Sequence, residues 1–174
     1  ENGRYELISG HRRKYACQSL NLEQVPVIVR DFSREEAVIA MVDSNLQRER
    51  ILPSEKAYAY RMKMEAMKHQ GHRSDLTCAP MEHKSVGGKS RDVIAAELGE
   101  SREQVRRYIR LTYLIPELLE MVDREKIAFR PAVELSYLTE EEQWYLSETI
   151  ESEDCTPSLS QAVRLKKLSQ AGQL

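Results

Sequence analysis

Glycine and proline are scarce in this chain, at 7 and 6 of 174 residues, against about 21 expected from their average combined usage of ~12%. All-β architectures need both residues at many turns, so helices are expected to dominate. Cysteine is scarcer still. Cys17, Cys78 and Cys155 are odd in number and far apart, which argues against a disulfide framework and fits a reducing compartment. No run approaches the ~18 uninterrupted apolar residues of a membrane-spanning helix, and no basic-apolar-small leader opens the sequence. The expectation is a soluble, cytoplasmic protein. What is present is charge, 31% of residues, beside 41% hydrophobic residues, enough for the core of one domain or of two small ones.

The formal net charge of −2 hides an uneven distribution. Residues 51–112 hold 12 Lys and Arg against 8 Asp and Glu, and residues 113–174 hold 6 against 12. A basic middle followed by an acidic end predicts a local anion-binding surface backed by a solvated acidic one.

Along the chain, Glu1-Asn2-Gly3 reads as a hairpin turn leading into a strand over Arg4–Ile8, and Val25–Val29 reads as a second strand; the run from His11 to Leu20 between them reads as a helix. The fragment is expected to start inside a domain. Ser33-Arg34-Glu35-Glu36 is a capping box opening a helix through Met41 that breaks near Asn45. Another helix is expected from Pro53 to about Lys68, with Ala57, Tyr60, Met64 and Met67 on one face. Residues 71–89 contain Gly71, Pro80, Gly87 and Gly88 without periodicity and read as a flexible linker. Beyond it, Ser90 can cap a helix over Arg91–Leu98. Ser101, Thr139 and Ser158 begin capping boxes completed by Gln104, Glu142 and Gln161, and Pro116 suits the first turn of another helix.

Residues 91–112 carry the pattern of a helix-turn-helix. Ile94, Ala95 and Leu98 give the first helix an apolar face, Ala95 is small enough for a close crossing, and Gly99 supplies the left-handed turn residue. Val105 and Tyr108 project back into the same small core. The second helix then presents Ser101, Arg102, Gln104, Arg106, Arg107 and Arg110 outward, a set suited to base edges and phosphates in a major groove.

Two further motifs point to an anion. Gly10-His11-Arg12-Arg13 places a glycine before a helix and two guanidinium groups in its first turn, where free N–H groups favour phosphate. Asn45-Leu46-Gln47-Arg48 adds an amide and a further guanidinium. In this order, with Val25–Val29 between them and Leu52-Pro53-Ser54-Glu55 after them, these motifs resemble the ParB family of chromosome and plasmid partition proteins. The resemblance continues through the helix-turn-helix to about Leu138.

That resemblance implies an α+β, mostly α fold. A ParB-like N-terminal α/β subdomain, truncated at its N-terminus, would span 1–70, the linker 71–89, and an all-helical DNA-binding domain 90–174. It further implies a homodimer on a palindromic double-stranded DNA site, at the nucleoid or a plasmid, with a ParA-type ATPase as a further partner. CTP with Mg²⁺ would be held by Gly10, His11, Arg12, Arg13, Asn45 and Arg48. Two positions depart from the family: His11 and Ser44 stand where glutamates are usual, so CTP hydrolysis is expected to be weak or absent, and no catalytic residue or metal ligand is assigned. The alternatives are a ParB-like transcription regulator without a nucleotide switch and an ATP-dependent enzyme of the ParB/sulfiredoxin-like fold, although sulfiredoxin's cysteine between Gly and His is missing. His69, His72, Cys78 and His83 match no common zinc spacing. Met62, Met64 and Met67 read as core filler, and Trp144 and Tyr145 as aromatics packed against neighbouring elements.

Overall fold

The computed structural model describes residues 5–48, 50–73 and 86–174, with side chains throughout except at 69–73 and 86–90. The elements are α1 (His11–Ser19), α2 (Arg34–Leu46), α3 (Pro53–Arg73), α4 (Val86–Leu98), α5 (Arg102–Leu111), α6 (Pro116–Asp123), α7 (Phe129–Leu135), α8 (Glu140–Glu153) and α9 (Leu159–Gln170). The mostly helical architecture is as expected. Several starts are chemical: Ser33, Thr139 and Ser158 each accept an N–H from the third helical residue, whose own side chain bonds back, and Pro116 opens α6. Each of the three boxes satisfies two backbone donors at its helix start.

The two expected strands do not form among the described residues. Residues 5–8 and 24–32 carry no regular secondary structure, and Val27, Ile28 and Val29 are exposed. An extended segment becomes a strand only when a neighbour accepts its ladder of hydrogen bonds, and these two segments do not supply one to each other. Arg4 and the Glu1-Asn2-Gly3 turn lie outside the described residues, as does most of the segment read as a linker. There, α3 continues to Arg73 and α4 already begins at Val86, so Ser90 sits inside a helix rather than at its cap. The side chains of His69, His72, Cys78 and His83 also lie outside the described residues.

Two cores hold the helices together. Tyr60, Ile94, Ala95 and Val105 form one, joined by Leu46, Met64, Met67, Leu98 and Ile109, which makes α3 the floor under α4 and α5. The larger core gathers Leu111, Leu118, Ile127, Leu135, Ile150 and Ala162 from α5 through α9, with Ala57 reaching it from α3. Tyr108 packs against both cores. Its ring lies edge-on to Tyr60 with centroids 5.5 Å apart and 4.7 Å from the Phe129 ring.

A single buried amide ties the connections after α5. Gln143 is 2% exposed. Its Nε2 donates to the Tyr113 and Leu138 carbonyls at 3.1 and 3.0 Å, and its Oε1 accepts the Ile115 N–H at 2.9 Å. Trp144 and Tyr145, expected to pack on neighbouring elements, instead meet each other at 5.4 Å and stay about half exposed. Gln143→Leu should therefore destabilise the fold by about 2–4 kcal/mol in chemical denaturation, because it strands a buried N–H and two carbonyls. A loss below about 0.5 kcal/mol would contradict that role.

Candidate nucleic-acid interface

The α4–α5 turn is built on Gly99, which holds φ at +65° with no atom within 4 Å of a Cβ added there. Its need for glycine is thus conformational and not steric. Glu100 N–H donates to the Ala95 carbonyl at 2.9 Å, closing the end of α4. Ser101 then caps α5, its Oγ accepting the Gln104 N–H at 3.1 Å. Val105 is fully buried against Ile94 and Ala95, so the helix pair crosses closely and the opposite face of α5 is turned to solvent.

That face carries Arg102, Glu103 and Arg106, all exposed, with Arg107 half-buried beside them. Arg102 Nε lies 3.4 Å from Asp92 on α4. Arg106 donates through Nε and Nη2 to the two oxygens of Glu103, at 3.1 and 2.8 Å, and Arg107 approaches the same carboxylate at 3.5 Å. The bonds from Arg106 hold the Glu103 carboxyl below its ordinary range, helped by the charges of Arg106 and Arg107. Such exposed pairs contribute little to stability and are screened by salt. They can be exchanged for phosphate contacts. Glu103 is the residue that the sequence reading missed: a carboxylate one position after Arg102, recognisable by its i,i+3 and i,i+4 spacing to two arginines.

Arg110 is placed differently from the other arginines. Its guanidinium lies over the rings of Tyr137 and Tyr113, at 4.0 and 4.5 Å from their centroids. It donates from Nε to Ser136 Oγ at 3.0 Å and from Nη2 to the Ser136 carbonyl at 2.5 Å. Ser136 is the C-cap of α7, so Arg110 satisfies a carbonyl at a helix C-terminus and adds a positive charge where the dipole favours one. The reason is geometric: at about 100° per residue, Arg110 lies some 80° around the helix from Arg102 and at the end that α7 crosses. Arg110 thus turns onto α7, not outward with Arg102 and Arg106 as the sequence pattern predicts.

The second candidate site is the turn into α1. Gly10 is its N-cap at φ +96°, a conformation costly for other residues, while a Cβ there would meet Arg13 only at ordinary contact distance. No side chain caps α1 and no acidic residue occupies its first turn. His11, Arg12, Arg13 and Lys14 are all exposed around these free N–H groups, an arrangement that favours an anion. One bond links this turn to α2: Ser9 Oγ and Ser44 Oγ lie 2.6 Å apart. Ser44 immediately precedes Asn45, which is exposed in the last turn of α2. Arg48 follows that helix and lines a half-open cavity of about 360 Å³ with Lys56, Tyr60, Glu100 and Tyr108. Burial pushes the Tyr60 hydroxyl up to about 12, against the opposing pull of Lys56, so it stays a neutral donor to Glu100. Among the described residues, no group of three or more His, Cys, Asp or Glu is placed to hold a metal ion.

The crossed pair α4–α5, with its cap, glycine turn and basic outer face, defines a helix-turn-helix protein. A family model described as the ParB N-terminal domain matches residues 1–46, and one described as the ParB HTH domain matches residues 84–171. The chain belongs to the ParB family. It is 31% identical over 148 residues to the chromosome-partitioning protein Spo0J of Thermus thermophilus, covering 84% of this chain and 47% of that protein. It is 33% identical over 132 residues to the nucleoid occlusion protein of Bacillus subtilis, covering 76% and 40%, and 34% identical over 149 residues to that of Listeria innocua, covering 84% and 45%. The chain thus spans less than half the length of these relatives. A C-terminally truncated chromosome-partitioning protein ParB from Caulobacter crescentus, solved in complex with the centromeric parS site, shares the fold. Its TM-score is 0.53 at 20% identity, over 98% of this chain and 77% of that one.

Two outcomes follow from the site geometry. Arg110→Ala should lower stability by about 1–3 kcal/mol, and Arg110→Lys should fail to restore it, since a lysine cannot fork onto Ser136 while stacking. Full stability of Arg110→Lys would refute the capping role. If the basic face of α5 meets duplex DNA, Glu103→Gln should tighten binding to random-sequence duplex about three- to tenfold by removing a carboxylate from that face; weaker binding would mean that Glu103 itself contacts a base.

Proposed function

We propose that the chain is the DNA-reading part of a partition protein. It would bind a palindromic duplex site as a homodimer, at the nucleoid or a plasmid, and work with a ParA-type ATPase. The observation that carries this reading is the outer face of α5, where Ser101, Arg102, Gln104, Arg106 and Arg107 surround the helix N-terminus and the arginines are held only by exchangeable surface pairs. The N-terminal turn of such a helix meets base edges, and the arginines further along meet phosphates. Among the described residues no helix is long and apolar enough to cross a membrane, and the relatives named above are chromosome-partitioning and nucleoid occlusion proteins.

Nucleotide is the second part of the proposal. Gly10, His11, Arg12 and Arg13 offer free N–H groups and guanidinium forks for a triphosphate such as that of CTP, and Asn45 and Arg48 would complete the cradle from the end of α2, whose Ser44 bonds Ser9. The hydroxyl of Ser44 is a poorer ligand for Mg²⁺ than the carboxylate usual at that position, so binding is weak and turnover slow or absent.

DNA binding measured against salt should give a log–log slope of about −3 to −5 per subunit, and Arg102→Ala should cost about 1–3 kcal/mol on the preferred site and little on random DNA. A flat salt response would remove the helix-turn-helix from the function. In calorimetry with CTP and Mg²⁺, Arg13→Ala should abolish binding; heat that survives it would place the phosphates elsewhere.

A further inference from the structure

A lysine at the centre of α3 joins parts of the molecule that the family comparison leaves separate. The Lys63 side chain is 3% exposed, and its ammonium lies 2.6 Å from Asp43 Oδ1 on α2 and 2.6 Å from Glu97 Oε2 on α4. Asp43 falls within the region matched as the ParB N-terminal domain, Glu97 within the region matched as the HTH domain, and Lys63 in the stretch between that neither covers. We infer that Lys63 is a positioning residue: by holding Asp43 and Glu97 at once, it fixes the anion-binding segment of α1 and α2 against the helix pair that reads DNA.

Three observations support the inference. The first is asymmetry of burial: the Asp43 and Glu97 side chains remain 40% and 51% exposed while the lysine is enclosed. A buried ammonium deprived of its partners is far more costly than an exposed carboxylate deprived of its own. Lys63 therefore needs the Asp43 carboxylate more than Asp43 needs it, which favours the one placement of α2 that keeps the pair. The second is that α2 rests on α3 through a thin apolar seam, with Val42 its one buried side chain and Leu46 at the edge of the small core, so the Lys63–Asp43 pair is the buried polar tie along that seam. The third is the arrangement along α3. Lys56 lies two turns before Lys63 on the same face and pairs with Glu100 at the helix-turn-helix corner. Both lysines grip the α4–α5 unit, and Lys63 alone also reaches α2. Through Asp43 the contact adjoins Ser44, and through Ser44 the Ser9-Gly10 turn. Burial works against the charge on Lys63, but the bonds from Asp43 and Glu97 outweigh it and hold the ammonium above its ordinary range. It stays charged at any working pH.

The test is made on the full chain with Cys17, Cys78 and Cys155 changed to Ser and spin labels at Arg34→Cys on α2 and Glu117→Cys on α6, both exposed. Pulsed dipolar spectroscopy should give one narrow distance distribution for the parent. Lys63→Met, which keeps length and apolar stem, and Asp43→Asn should each broaden it at least twofold. Glu97→Gln should leave it narrow, because it frees α4 and not α2, and Lys63→Arg should restore it. A purely structural lysine would not sort the variants in this order. A parent-like width in both Lys63→Met and Asp43→Asn overturns the inference. If Lys63→Met fails to fold, Asp43→Asn, altered at a half-exposed side chain, decides alone.

A second readout rests on the DNA reading proposed above. With a duplex selected from a random library by the unmutated chain, Lys63→Met should lower the preference over random duplex about tenfold while random binding stays within twofold. An unchanged preference overturns the inference even if the distances broaden. If the unmutated chain selects no duplex, the DNA reading itself fails, and the distance measurement still decides the role of Lys63.

Discussion

The edge-on contact of Tyr60 with Tyr108 is what the rest of the structure depends on. It joins α3 to α5, and Tyr108 belongs at once to the small core under the helix-turn-helix and to the larger core of the C-terminal helices. Lys56 lies over both rings, 5.6 and 4.6 Å from their centroids, and pairs with Glu100, which also accepts the Tyr60 hydroxyl proton at 3.3 Å. A buried tyrosine must find a partner for its hydroxyl, and here that partner is the residue that ends the turn between α4 and α5. Packing and polar satisfaction therefore fix the same thing, the angle at which the basic helix is presented.

From that anchor the division of labour along α5 can be understood. The inner residues Val105, Tyr108 and Leu111 are spent on packing, and the last arginine on capping α7. Only the first two turns are free to meet a ligand. Their charges are held by Asp92 and Glu103 across the surface, so the helix is kept in register without its arginines being buried. At such a site a phosphate would compete with a hydrated carboxylate, an exchange with a small net cost.

Much of this was legible in the sequence, and the parts that were not share a cause. Capping boxes at Ser33, Thr139 and Ser158, the glycine turn at Gly99 and the apolar face of Ala57, Tyr60, Met64 and Met67 are local patterns, and local chemistry settles them. The strands at 4–8 and 25–29 depend on a partner strand that periodicity cannot supply. Arg110 looked like its neighbours because a single-helix reading does not contain α7. Lys63 and Gln143 were passed over for the same reason: a charged or amide residue in a polar helix reads as solvated until the elements that enclose it are known. In the candidate sites, the motifs identified which side chains carry chemistry, while the tertiary contacts determined which of them are available.

In the function proposed above, DNA meets the first two turns of α5. Amide hydrogen exchange of the full chain, with and without its selected duplex, tests it directly. Protection should rise at residues 101–107 and at the start of α4, and the exposed acidic face of α8 should be unchanged. Protection concentrated on α8 and α9, with residues 101–107 unaffected, would contradict it.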